Sequence, residues 1–142
     1  MSEKFVDFKE LLEGMALPEV TSDPISRVQL VDYASASGDY NLLHYDESFA
    51  KKTGLKGCIA HGMLQMGMVG SYILNWAKGG MLRNFKIRYS NPANENDVLT
   101  FKGKIVKKYN ENDEILIEIN IMSENQDNKI TTQGSAVIAF RS

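Results

Sequence analysis

Asp39 and His44 lie five residues apart in a short polar stretch, GDYNLLH, and His61 followed by Gly62 opens a long uncharged segment further along. An aspartate and a histidine at one site can divide the steps of a proton transfer, because imidazole titrates near neutrality and a partly buried carboxylate is raised toward it. Spacing does not force the two side chains together, and in loops such residues more commonly cap a helix or hold the turn. The second half of the stretch adds a different capability. A helix that begins at Gly62 offers unpaired backbone amides and the positive end of its dipole to a developing negative oxygen. A carboxylate, an imidazole and such a donor together suit reactions that pass through an enolate, including removal of a proton beside a thioester carbonyl. The His61 side chain reads as a helix-start residue bonded to nearby backbone, which leaves the electrostatic work to the Gly62 amide.

The surrounding sequence supplies elements to position these groups. Ser26 to Gln29 is a capping-box pattern that starts a helix, with an apolar stripe of Val28, Val31 and Ala34 beside Leu30. Gly38 can close it in the left-handed conformation, so Asp39 falls just past a helix end. A second short helix is predicted from Asp46 to Thr53, with Asp46 and Glu47 at its positive end, Lys51 and Lys52 at its negative end, and Gly54 as its stop. The loop carrying Asp39, Asn41 and His44 is thereby pinned on both sides.

From Gly62 to Trp76 the residues are apolar on nearly every face, which implies a helix buried all round. Gly62, Gly67 and Gly70 would each cost about 0.8 to 1 kcal/mol against alanine there, a loss that makes sense if another backbone packs very close. Before these helices, residues 1 to 13 suggest a helical turn ended by Gly14. Met15 to Thr21 reads as a first strand, held to an edge by Pro18. After them come four alternating runs, ending at Tyr89, Ile105, Ile121 and Phe140, expected to form a meander. The predicted class is α+β, a single antiparallel sheet of about five strands wrapped around one long helix, in one domain covering residues 1 to 142.

Composition agrees with one compact domain: the chain has 142 residues, 43% of them hydrophobic. The formal net charge is only -2, from 16 basic and 18 acidic residues, so nucleic acid is not an expected partner. The single cysteine, Cys58, excludes an internal disulfide and a multi-cysteine metal site, fits a cytoplasmic location, and reads as a small buried filler. Charges throughout the first ten residues argue against a signal peptide. Cys58 to Ala77 approaches bilayer length, yet His61, Gln65, Ser71, Asn75 and three glycines favour a buried helix over a membrane span.

SGDYNLLH followed by a downstream AHGM resembles the hydratase motif of the MaoC-like family, the (R)-specific enoyl-CoA hydratases and 3-hydroxyacyl-thioester dehydratases of the hot-dog fold. The resemblance covers nearly the whole chain from Gly14 onward, and the combined motif is specific where each half is not. It implies Asp39 and His44 as the catalytic pair, Asn41 as the residue that shapes the loop, and the Gly62 amide as the oxyanion donor. The implied reaction is reversible syn hydration of trans-2-enoyl thioesters to (R)-3-hydroxyacyl thioesters in fatty-acid, polyhydroxyalkanoate or polyketide metabolism. It needs no metal or redox cofactor, and its substrate is carried on coenzyme A or an acyl carrier protein. Arg83, Lys86 and Arg88 are candidate phosphate contacts, although exposed charge on a strand is commonly only a solvated face. A homodimer is the implied assembly, with a heterodimer of two hot-dog subunits as its alternative. A hot-dog acyl thioesterase and a non-catalytic acyl-binding partner subunit are the competing functions. Two departures stand out: Leu42 occupies the place of the family's proline, and Asn94 to Asp97 replaces a common Pro and Gly turn.

Overall fold

The computed structural model describes residues 5 to 141. Helix α1, Arg27–Ser37, begins where Ser26 Oγ accepts the Gln29 amide at 3.0 Å and ends at Gly38, whose φ of 76° is the left-handed cap. Its core-facing residues are Leu30 and Ala34, one turn apart, whereas Val28 and Val31 are 68% and 47% exposed. The expected stripe was therefore centred on the wrong face. A single 3-10 turn, Leu42–His44, leads to helix α2, Glu47–Lys52. Asp46 caps α2 through the Phe49 amide at 3.0 Å, Lys51 pairs with Glu47 at 2.9 Å, and Gly54 follows at φ 93°.

Helix α3 runs Gly62–Trp76, as the uncharged segment predicts, but burial is one-sided. Gln65, Val69, Tyr72 and Ile73 are buried, whereas Met63 is 62% and Leu74 43% exposed. What approaches its glycines is aromatic side chain from the sheet, not backbone. A Cβ on Gly62 would meet the Tyr89 ring at 3.1 Å, one on Gly70 would meet Phe85 at 3.4 Å, and Gly67 faces open space. No described helix is long and apolar enough to cross a membrane.

Five antiparallel strands form one sheet in the order β1-β3-β4-β5-β2. They are β1 Val20–Thr21, β2 Met81–Tyr89, β3 Thr100–Glu111, β4 Glu114–Glu124 and β5 Ile130–Arg141. β1 is only two residues long because Pro18 interrupts it; residues 14 to 17 nevertheless follow β3, with the Leu17 amide donating to Gly103 O at 2.9 Å. The meander holds for β3, β4 and β5 but not for β2, which pairs with β5 at the far edge. Residues 90 to 99 make that crossing, tied to the site segment by the Ala60 amide on Ala93 O and the Glu95 amide on Cys58 O.

Alternation sets the two faces of the sheet. Phe85, Ala136, Ile119 and Ile105 lie opposite one another across β2, β5, β4 and β3 and face the helix, as do Tyr89, Thr132, Ser123 and Phe101 in a parallel row. Tyr72 of α3 stacks on Phe101 with ring centroids 5.7 Å apart. The core is thus the concave side of a sheet curled around α3, the hot-dog arrangement.

Candidate active site

Asp39 stands on the first residue after the α1 cap, where its carboxylate Oδ1 accepts the Asn41 amide at 3.2 Å. Asn41 in turn caps the 3-10 turn, its Oδ1 accepting the Leu43 amide at 3.1 Å, and this turn delivers His44 to a buried position. Leu42 occupies the first residue of the turn, a position where proline fits a helical start, and here the asparagine cap closes the turn without a proline ring. The Asn94 to Asp97 turn likewise closes without glycine: Asn96 takes φ 71°, and the buried Asp97 accepts the Asn94 amide at 2.8 Å.

The two halves of the motif meet. His44 Nδ1 lies 2.8 Å from Ile59 O, and since a carbonyl can only accept, that nitrogen carries the proton. In the neutral imidazole Nε2 is then an unprotonated acceptor, 3.8 Å from Asp39 Oδ2. That is too long for a hydrogen bond between them and about right for one water that donates to both. Asp39 is half exposed, so the gap opens to solvent.

His61 belongs to the same site, and its sequence reading as a residue held by backbone understates it. Its Nε2 donates to Asp39 O at 3.2 Å, its ring stacks on His44 with centroids 3.6 Å apart and planes 22° apart, and the Tyr33 ring packs against it at a tilt with centroids 4.7 Å apart. The imidazole is 2% exposed, and burial pushes its pKa down, which favours the neutral ring. A neutral ring can support His44 through a protonated state that a cationic neighbour would oppose. The ligand atoms of Asp39, His44 and His61 lie within 4.8 Å of one another. Stacked rings aim their lone pairs along nearly parallel planes, however, so an ion midway between them would sit well out of both planes.

A pH effect on stability follows. The folded-state pKa of His61 is lowered, so below the unfolded value of 6.5 the unfolded chain binds the extra proton. His61 should therefore add a loss of stability as pH falls through 6.5, a loss absent above it. Urea midpoints between pH 5 and 8 should show this decline, and His61→Gln should flatten it; an unchanged slope in the variant would place the decline elsewhere.

His61 makes no side-chain cap to α3, so the first amides of that helix, starting with Gly62, have no cap partner. The Tyr89 ring covers Gly62 on one side. Cys58 is fully buried, and desolvation raises its thiol pKa, which keeps it protonated. Arg83 is held by Glu114 at 2.7 Å, and Lys86 and Arg88 lie on the sheet face opposite Asp39 and Gly62. An apolar cavity of about 450 Å³ opens beside α3, lined by Tyr33, Leu64, Gly67, Met68, Ser71 and Tyr72 among others. Tyr33 is shared between this cavity and His61. Sequence alternation could not reveal this space, because it depends on the open side of α3.

The model of the MaoC like domain matches residues 11–126. The chain belongs to the MaoC-like family. Among solved structures of this fold, the unliganded R-hydratase PhaJ1 from Pseudomonas aeruginosa superposes with a TM-score of 0.84 at 28% identity, covering 94% of this chain and 85% of that one. The ChsH1-ChsH2 complex from Mycobacterium tuberculosis contains a chain similar in fold, with a TM-score of 0.78 at 22% identity over 92% of this MaoC-like chain and 98% of its counterpart. A peroxisomal hydratase-dehydrogenase-epimerase from Neurospora crassa is 35% identical over 86 residues, 58% of this chain. The match spans only 9% of that relative's length.

Proposed function

We propose that this MaoC-like protein catalyses reversible hydration of trans-2-enoyl thioesters to (R)-3-hydroxyacyl thioesters. The observation that carries the reading is the pair of acceptors, Asp39 Oδ2 and His44 Nε2, 3.8 Å apart. A water held there gives one hydrogen to each group and turns its oxygen lone pairs toward the substrate. As that oxygen bonds to C3, one acceptor takes a proton, and electrons move through the C2–C3 double bond onto the thioester oxygen. The Gly62 amide and the α3 dipole stabilise the resulting enolate. The conjugate acid just formed then gives its proton to C2, so water adds without net change in the protein. Because the acid stands where the water stood, both additions fall on one face.

The 450 Å³ cavity beside Tyr33 fits an acyl chain running past α3, with the pantetheine arm of coenzyme A or a carrier protein leading outward. Gly67→Leu should fill part of it. In that variant kcat/KM for long enoyl chains is expected to fall about ten-fold while that for crotonyl thioester holds. Equal loss across chain lengths would remove the cavity from the acyl path.

The free edge of β2 and the exposed side of α3 with Met63 and Leu74 favour a dimer that continues the sheet through β2. Sedimentation at micromolar concentration should give twice the chain mass, and a monomer mass would overturn this pairing.

Activity is tested by supplying enoyl and saturated acyl thioesters in parallel. Loss of enoyl absorbance without free thiol is the expected result. Thiol release with the enoyl group intact would make the site a thioesterase.

A further inference from the structure

The outer face of the sheet, away from α3, carries a cavity of about 690 Å³ that the proposed hydration does not use. Strand register builds it in two rows. Lys86, Ser135, Asn120 and Lys104 face one another across β2, β5, β4 and β3, and Arg88, Gln133, Met122 and Lys102 form the next row. Each row has a cation at both ends and uncharged residues between. With strands ~4.8 Å apart and ~6.8 Å between alternate residues, the four cationic positions mark a rectangle of roughly 14 by 7 Å. Lys102 is neutralised by Glu124 at 2.6 Å. Among the described residues no carboxylate lies within ion-pair distance of Lys86, Arg88 or Lys104, although all three line the cavity.

We propose that this outer cleft is a second ligand site, taking a small organic molecule with an anionic group at each end, phosphates above all. Arg88 and Lys86 would hold one end from β2, with the planar guanidinium engaging two oxygens of a phosphate. Lys104 would hold the other end from β3. Asn120 and Gln133 supply amides to hydroxyl groups between the ends. The volume lies within the range of small-molecule pockets, and the concentration of like charge opposes the docking of a second copy of this face. The site is on the opposite side of the sheet from Asp39 and His44, so its occupancy does not depend on the thioester reading.

Calorimetric titration of the full chain at low salt tests it, with fructose 1,6-bisphosphate as the two-ended probe and inorganic phosphate as the one-ended control. The bisphosphate should bind at least ten-fold more tightly than phosphate. Lys86→Gln and Lys104→Gln should each weaken the bisphosphate about ten-fold, with little change for Lys52→Gln on α2. All three positions are exposed, and matching thermal midpoints would exclude misfolding as the cause. Equal binding of the two probes, or bisphosphate binding untouched by both cleft variants, would overturn the proposal. So would binding of polyglutamate with none of the bisphosphate, which would indicate an acidic protein partner. No turnover is measured, so a failed hydration assay leaves this result intact.

Discussion

Asp39→Asn and His44→Gln are each expected to lower kcat for hydration by about 10² to 10⁴-fold, the usual loss when a general acid or base is removed, with KM nearly unchanged. Substitution is structurally mild at Asp39, whereas His44 is buried and stacked on His61, so thermal midpoints of both variants accompany the kinetics. Asp39 is half exposed, and glutamine at 44 can keep a donor toward Ile59 O at the cost of the second acceptor. In the proposed mechanism one water bridges both groups, so the double variant should be little worse than the more damaging single one. Stopped-flow loss of enoyl absorbance for the three variants checks this. Full activity in both single variants, measured in the assembled protein, would place the catalytic pair elsewhere.

The second large effect concerns a backbone hydrogen that only a proline substitution removes. Gly62 is the first residue of α3, the position where proline is best tolerated, and His61 before it has φ -58° and ψ 140°, the extended conformation a following proline requires. Gly62→Ala and Gly62→Pro both bring a Cβ to 3.1 Å from the Tyr89 ring, so both demand the same small shift of that ring. Only proline deletes the amide hydrogen. The proline variant should therefore fall about 10² to 10³-fold below the alanine variant in kcat, the magnitude of one lost oxyanion donor. Equal rates for the two would remove the Gly62 amide from the mechanism while leaving the Asp39 and His44 assignments standing.

Much of this arrangement was legible because it depends on local chemistry. The Ser26 and Gly38 caps fix α1, Asp46 and Gly54 bound α2, and the uncharged run from Gly62 to Trp76 coincides with α3. The strand alternation marks β3, β4 and β5, and Asn112 and Asp113 at φ 50° and 62° supply the tight turn between the first two. What depends on distant pairing was hidden. β2 alternates as a meander strand would, yet the ten residues after it carry the chain past β5 and β4 to β3, one strand in from the far edge, and nothing in its own pattern specifies a partner. The open side of α3 carries Met63 and Leu74, residues indistinguishable in type from its buried ones. His61 was visible as a helix start, but its stacking on His44 arises from two segments seventeen positions apart meeting in space. The cationic rows of the outer cleft become visible only when register places Lys86 across from Lys104.

In the proposed mechanism one water, held between Asp39 and His44, adds to C3, and the same site returns a proton to C2. Hydration of crotonyl-CoA in deuterated water, followed by assignment of the configuration at both carbons, tests it most directly. The predicted product is (R)-3-hydroxybutyryl-CoA with a single deuterium at C2 on the face that received the hydroxyl. An anti product, an (S) alcohol, or deuterium scrambled between both C2 positions at first turnover would contradict it.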